Sequence, residues 1–198
     1  MKNILIFASL VCMAAFSVAF TNTNKNEEKK RLENLSGTYA DPQPYAYGTA
    51  WGKRIFTFNK GKWTLDFTLA LDKELKMPVF QFRTYGKYIV QEKSTSVANT
   101  YNAVFNEEKK FLTLKTTDEN LINAFGFAPC QLKKDVEADV SEEGCSAWKS
   151  VAECPADHDL LSLDKDGKLY FGNRPQDNNM CSADKRPTSL TPPVVKIK

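Results

Sequence analysis

Apolar and polar residues alternate most regularly over Trp63-Thr64-Leu65-Asp66-Phe67-Thr68-Leu69-Ala70-Leu71. Trp63, Leu65, Phe67, Leu69 and Leu71 fall on one face, and Thr64, Asp66, Thr68 and Ala70 on the other. A period of two predicts a β-strand with one wet face. Just before it, Ile55-Phe56-Thr57-Phe58 runs into Asn59-Lys60-Gly61-Lys62, whose glycine can supply the positive φ of a tight hairpin. The alternation returns at residues 79–90, 101–105 and 111–114, the last two separated by the polar run Asn106-Glu107-Glu108-Lys109-Lys110. Another hairpin joins 160–163 to 168–171 through Asp164-Lys165-Asp166-Gly167. Leu121-Ile122-Asn123-Ala124-Phe125 interrupts the strands as a short helix, because Thr117 or Asp118 can cap it.

Short strands joined by hairpins predict an all-β, mainly antiparallel meander. A sheet this long tends to curl, which buries its apolar face and limits its open edges. The expected fold is therefore a curved half-barrel or a lipocalin-like β-barrel with one short helix. A sheet packed flat on a helix is the alternative. Leu35-Ser36-Gly37-Thr38-Tyr39 also resembles the Gly-x-Trp opening of lipocalin-like barrels, with Tyr in place of Trp.

The ends of the chain refine this picture. Lys2, the apolar run Ile4 to Ala15, and Ser17-Val18-Ala19 have the positive, apolar and small-x-small order of a signal peptide over residues 1–19. That run is too short to span a membrane and no later segment approaches the length, so no transmembrane anchor is expected. Residues 20–34 are almost wholly polar, which predicts a flexible charged leader or a frayed helix. The β domain then occupies 35–198, about 160 residues, a size that suits one core. The implied location is secreted, extracellular or periplasmic.

The formal charge of the whole chain is +3, and losing Lys2 with the signal peptide leaves +2. So little charge argues against nucleic acid as a partner. Cys130, Cys145, Cys154 and Cys181 remain in the exported part and read as two disulfides, with three connectivities open. Zinc is disfavoured, since there is no Cys-x-x-Cys pair and His158 is the lone histidine.

The last third carries a more specific pattern. Lys168-Leu169-Tyr170-Phe171-Gly172-Asn173-Arg174-Pro175-Gln176-Asp177, with Lys185-Arg186-Pro187-Thr188-Ser189-Leu190 and Pro193-Val194-Val195, resembles the closing segment of the adenomatosis polyposis coli down-regulated (APCDD) domain family. Asn123-Ala124-Phe125, Cys130, Asp139-Val140, Glu142-Glu143-Gly144-Cys145 and His158-Asp159-Leu160 are similar to a second block of that family. Gly37-Thr38-Tyr39, Arg54-x-Phe56-x-Phe58, Asp72, Pro78, Phe80, Gly86 and Tyr88 resemble its first strands. The chain reads as one domain without an anchor, which departs from the two tandem domains and membrane anchor of the family's animal members. Residues near Pro44 and Leu75 also stand where the family has cysteines. The resemblance implies a Cys130–Cys145 bridge, and the two extra cysteines, Cys154 and Cys181, then pair with each other.

The resemblance further implies a curved barrel with an apolar pocket for a lipid or acylated ligand, in a domain akin to extracellular Wnt inhibitors. The apolar strand faces would supply Phe56, Phe58, Trp63, Leu65, Phe67, Leu69, Phe80 and Phe82 as its walls. If those side chains instead fill the core, the domain is a protein-binding module, with edge strands and the Pro192-Pro193 tail as docking surfaces.

No enzyme is expected. There is no Gly-x-Ser-x-Gly, no His-Glu-x-x-His and no phosphate loop, and nothing calls for a cofactor. Asp135, Glu137, Asp139, Glu142 and Glu143 offer oxygen ligands for calcium or a carboxylate pair, but a charged loop is ordinarily just solvated. His158 beside Asp159 offers an acid–base pair or a hairpin cap, and Arg174 and Arg186 pin the C-terminal strap. Asn34-Leu35-Ser36 is a glycosylation sequon in a eukaryotic secretory route.

Overall fold

A computed structural model describes residues 27–198. The signal peptide expected over 1–19 and the first part of the leader lie outside the described residues. The end of the leader, residues 27–33, forms a helix, α1. Leu32 on that helix is completely buried and packs in the same cluster as Leu35 and Tyr39, so the core begins before Leu35.

The strands that follow are β1 (Ser36–Ala40), β2 (Tyr45–Tyr47), β3 (Ala50–Asn59), β4 (Lys62–Ala70), β5 (Pro78–Lys93), β6 (Tyr101–Asn106) and β7 (Lys109–Leu114). After α2 (Glu119–Ala124) come β8 (Glu137–Asp139), β9 (Ala156–Leu163), β10 (Leu169–Phe171) and β11 (Val195–Lys196). Every pairing between these strands is antiparallel. The strands β2, β8 and β11 are too short to leave a period in the sequence.

Local chemistry sets the expected elements. Asn59 pairs with Lys62 around a two-residue turn in which Lys60 and Gly61 both have positive φ, +48° and +78°. That is the type I′ geometry whose twist matches the strands it joins. Asp118 caps α2 by accepting from the Asn120 and Leu121 N–H groups. The alternation of β4 ends one residue early: the pairing with β5 shifts register at Leu69/Ala70, and Leu71 is exposed rather than inward.

The polar run at 106–110 is a kink between two strands that pair end to end along β5 rather than with each other. The 16-residue β5 pairs with β7 through Phe80–Tyr85 and with β6 through Tyr88–Lys93. At the kink the chain lies against Gly86, where a Cβ would run into the Asn106 carbonyl oxygen. Trp63 Nε1 donates to that same oxygen at 3.1 Å. Charges of this polar run are inside: Glu107 and Lys110 are both buried and form an ion pair at 2.7 Å.

The main path of the sheet runs β10-β9-β6-β5-β4-β3-β1-β11. Leu169 on β10 exchanges both backbone hydrogen bonds with Val194, immediately before β11, which pairs with β1. The C-terminal strap thus brings the first and last strands together into an almost closed barrel. Two apolar clusters share its inner face. Phe56, Phe58, Trp63, Tyr88, Phe105 and Phe171 belong to one; the other places Phe80, Phe82 and Leu112 beneath Phe125, Phe127 and Trp148 of the segment after β7.

Disulfides hold both accessory segments. Cys130 is joined to Cys145 and Cys154 to Cys181, as the resemblance and the leftover pair implied. Their separations of 15 and 27 residues correspond to about 3 and 3.5 kcal/mol of loop-closure entropy removed from the unfolded chain. Among the described residues no helix is long and apolar enough to cross a membrane.

Candidate functional site: the barrel cavity

Strand alternation sends every second residue of β3, β4, β5, β6, β9 and β10 inward. Where the two apolar clusters meet, these side chains do not fill the space, and a cavity of about 80 Å³ remains. Phe56, Trp63, Leu65, Phe67 and Phe82, all expected in a pocket, line it. Phe58, Leu69 and Phe80 do not. Phe58 is enclosed edge-on by Tyr39 and Tyr88, while Phe80 meets Phe125, Phe127 and Trp148, and Leu69 is buried in that same second cluster.

The remaining walls come from residues that sequence reasoning did not place there. Trp148 stacks on Phe82 with centroids 5.3 Å apart, and Tyr45, Tyr47, Phe105 and Phe171 complete the aromatic side. The lining also includes the charged residues Arg54, Glu107, Asp157, Asp159 and Arg174. Such charge inside a barrel needs partners, because an isolated buried ion is costly.

Four of the five have them. Arg54 is held bidentate by Asp41 and also donates to Thr191 Oγ1 and the Pro192 carbonyl, tying the strap to β3. Glu107 pairs with Lys110, which donates as well to the Lys149 and Cys154 carbonyls. Burial, then Asp157, pushes the Glu107 carboxyl above its usual range despite that pair. Arg174 donates to Asp157 at 2.6 Å and to Asn178 at 2.7 Å.

Asp159 is the exception. Its Oδ1 accepts from the N–H groups of Leu160 and Gly172 at 2.7 and 2.9 Å. Its Oδ2 has no hydrogen-bond partner among the described residues, and the side chain makes no ion pair. Burial pushes its carboxyl up to about 7. A residue larger than glycine at 172 would collide with this carboxyl and with Pro187, so Gly172 sets how closely the loop after β10 approaches it.

Other candidates separate. His158 and Asp159 are neighbours on one strand and point to opposite faces, so they form no acid–base pair. His158 does not cap the hairpin through Nδ1 either, since that atom is buried without a partner. Arg186 pins the strap as expected, donating to the Ala103 and Asp159 carbonyls and to Gln91. Arg174 anchors the loop after β10 to β9. The acidic run is neutralised piecemeal, Asp135 by Lys115, Glu137 by Arg83 and Asp139 by Lys109, while Glu142 and Glu143 face solvent.

Glu107, Cys154 and Asp157 bring potential metal-ligand atoms within 4.8 Å of one another. Yet Cys154 is in a disulfide, and the Lys110 ammonium already supplies a cation to Glu107. The cavity lining combines aromatic and charged side chains. What it offers is a small amphipathic recess. No family model matches the chain, and no curated protein matches it either.

Proposed function

We propose that the protein is an exported binding domain whose barrel takes a small amphipathic ligand, an acyl chain or other lipid-like group, in its cavity. The observation that carries this reading is the unfilled space on the inner face of the sheet, lined by both aromatic and charged side chains. Well-packed small barrels leave no such void. The signal-peptide pattern at residues 1–19, the two disulfides and the resemblance to the APCDD domain support the same reading. At about 80 Å³ the recess is small beside the 300–1,000 Å³ of drug-sized sites, so it suits the head and first carbons of a chain. Each methylene buried there adds about 0.8 kcal/mol.

Trp63 and Trp148 both line the cavity and report on it. Titration with medium-chain amphiphiles should change their fluorescence saturably. Phe67→Trp should occupy the space and abolish that response while keeping the urea midpoint of the parent. A core already filled would give the reverse, with no saturable ligand response in the parent and a variant destabilised by about 1–3 kcal/mol through overpacking. That result would discard the pocket and favour a protein-binding module.

A further inference from the structure

We propose that Asp159 is the head-group anchor of this cavity and that the head it receives is a protonated amine. The inference rests on the binding reading above and adds the chemical class of the ligand. Asp159 is about nine-tenths buried, lies on the inward face of β9 and borders the cavity. One carboxyl oxygen is fixed by two backbone N–H groups; the other has no partner among the described residues. Of the cations beside it, Arg54 is committed to Asp41, and Arg174 donates through Nε to Asn178 and through Nη1 to Asp157.

The surroundings suit a cation. Ring faces attract ammonium groups, and the cavity is lined by phenylalanines and by two tryptophans. Three groups face Asp159 from the elements packed on it: Asp157 on its own strand, Arg174 after β10, and Arg186 on the strap. Asp157 raises its carboxyl and Arg174 lowers it, and neither arginine makes an ion pair with it. Arg186 instead donates to the backbone carbonyl of Asp159. An alkylammonium would supply the missing hydrogen bond and the missing charge together.

The test compares n-octylamine, octanol and octanoate as probes of the exported protein, read by tryptophan fluorescence and calorimetry. Octylammonium should bind at least tenfold more tightly than octanoate at pH 8. Its advantage should shrink several-fold between pH 8 and 6 as Asp159 takes up a proton. Asp159→Asn, which keeps an oxygen for Leu160 and Gly172, should erase the preference of the amine over octanol. Should that variant fail to fold, the wild-type ratio and its pH profile decide. Binding of octanol with no preference for the amine overturns the anchor alone. Failure of all three probes to bind overturns the anchor and the binding reading beneath it.

Discussion

Asp41 and Asp159 are both buried in the barrel wall, yet they are satisfied to opposite extents. Asp41 accepts from the backbone and side-chain nitrogens of Arg54 at 2.6–3.1 Å, so both of its oxygens face a cation. Asp159 has backbone partners on one oxygen only. The first arrangement is architecture: it joins the loop after β1 to β3, and through Arg54 to the strap at Thr191 and Pro192. The second leaves hydrogen-bonding capacity unspent beside an open space. The two carboxylates thus differ in what they contribute: one joins segments of the fold, and the other keeps an oxygen free beside the cavity.

Breaking the saturated site should have the largest effect. Arg54→Met strands the Asp41 carboxylate with 3% exposure and frees the strap, so unfolding in urea should show a loss of about 3–5 kcal/mol. A loss under 1 kcal/mol would mean that the pair is incidental to barrel closure.

The unsaturated site should behave differently with pH. Burial holds its folded carboxyl up at about 7, above the ordinary aspartate value of 3.8, so the folded state binds more protons between those limits. Stability should therefore fall as pH rises from about 4 to 7 and then level off, by roughly 2–4 kcal/mol for this group. Asp159→Asn should remove that slope, making the variant the more stable protein at pH 8 and not at pH 4. Parallel urea midpoints at pH 4, 6 and 8 for the two proteins would contradict it.

The smallest effect should come from the surface. Lys109, with help from Ser141, holds Asp139 down to about 2, so its contribution is present above the usual carboxylate range and disappears as pH falls towards 2. Because both partners are about two-fifths exposed, Asp139→Asn should cost no more than about 1 kcal/mol at pH 7. Thermal melts of the variant and parent in low and high salt would check it. A larger loss that persists in high salt would show that Asp139 supports the β7–β8 edge in some other way.

Much of the barrel was legible along the chain. The alternation at residues 63–69 needs only neighbouring residues to be read, and so does the turn at Lys60-Gly61. Asp118 sits directly before the helix it caps. Five of the eight residues expected in a pocket reach the cavity, because side-chain direction along a strand is fixed by its period. The charged part of the lining was not legible. Glu107 and Lys110 look like solvated polar residues until Gly86, on another strand, lets the kink at Asn106 pack against it. Asp159 looks like the partner of His158 until pleating sends the two to opposite faces.

The sequence alone determined the strand periods, the two-residue hairpin, the helix cap and the apolar face turned inward, because each depends on contacts within a few residues. Tertiary structure decided whether that face was full or open, and which charges were spent. Arg54 finds Thr191 and Pro192 at separations of 137 and 138 residues, and Trp148 reaches Phe82 from beyond the disulfide-bridged segment. Volume and charge balance inside the barrel are sums over such distant partners, and no local pattern records them.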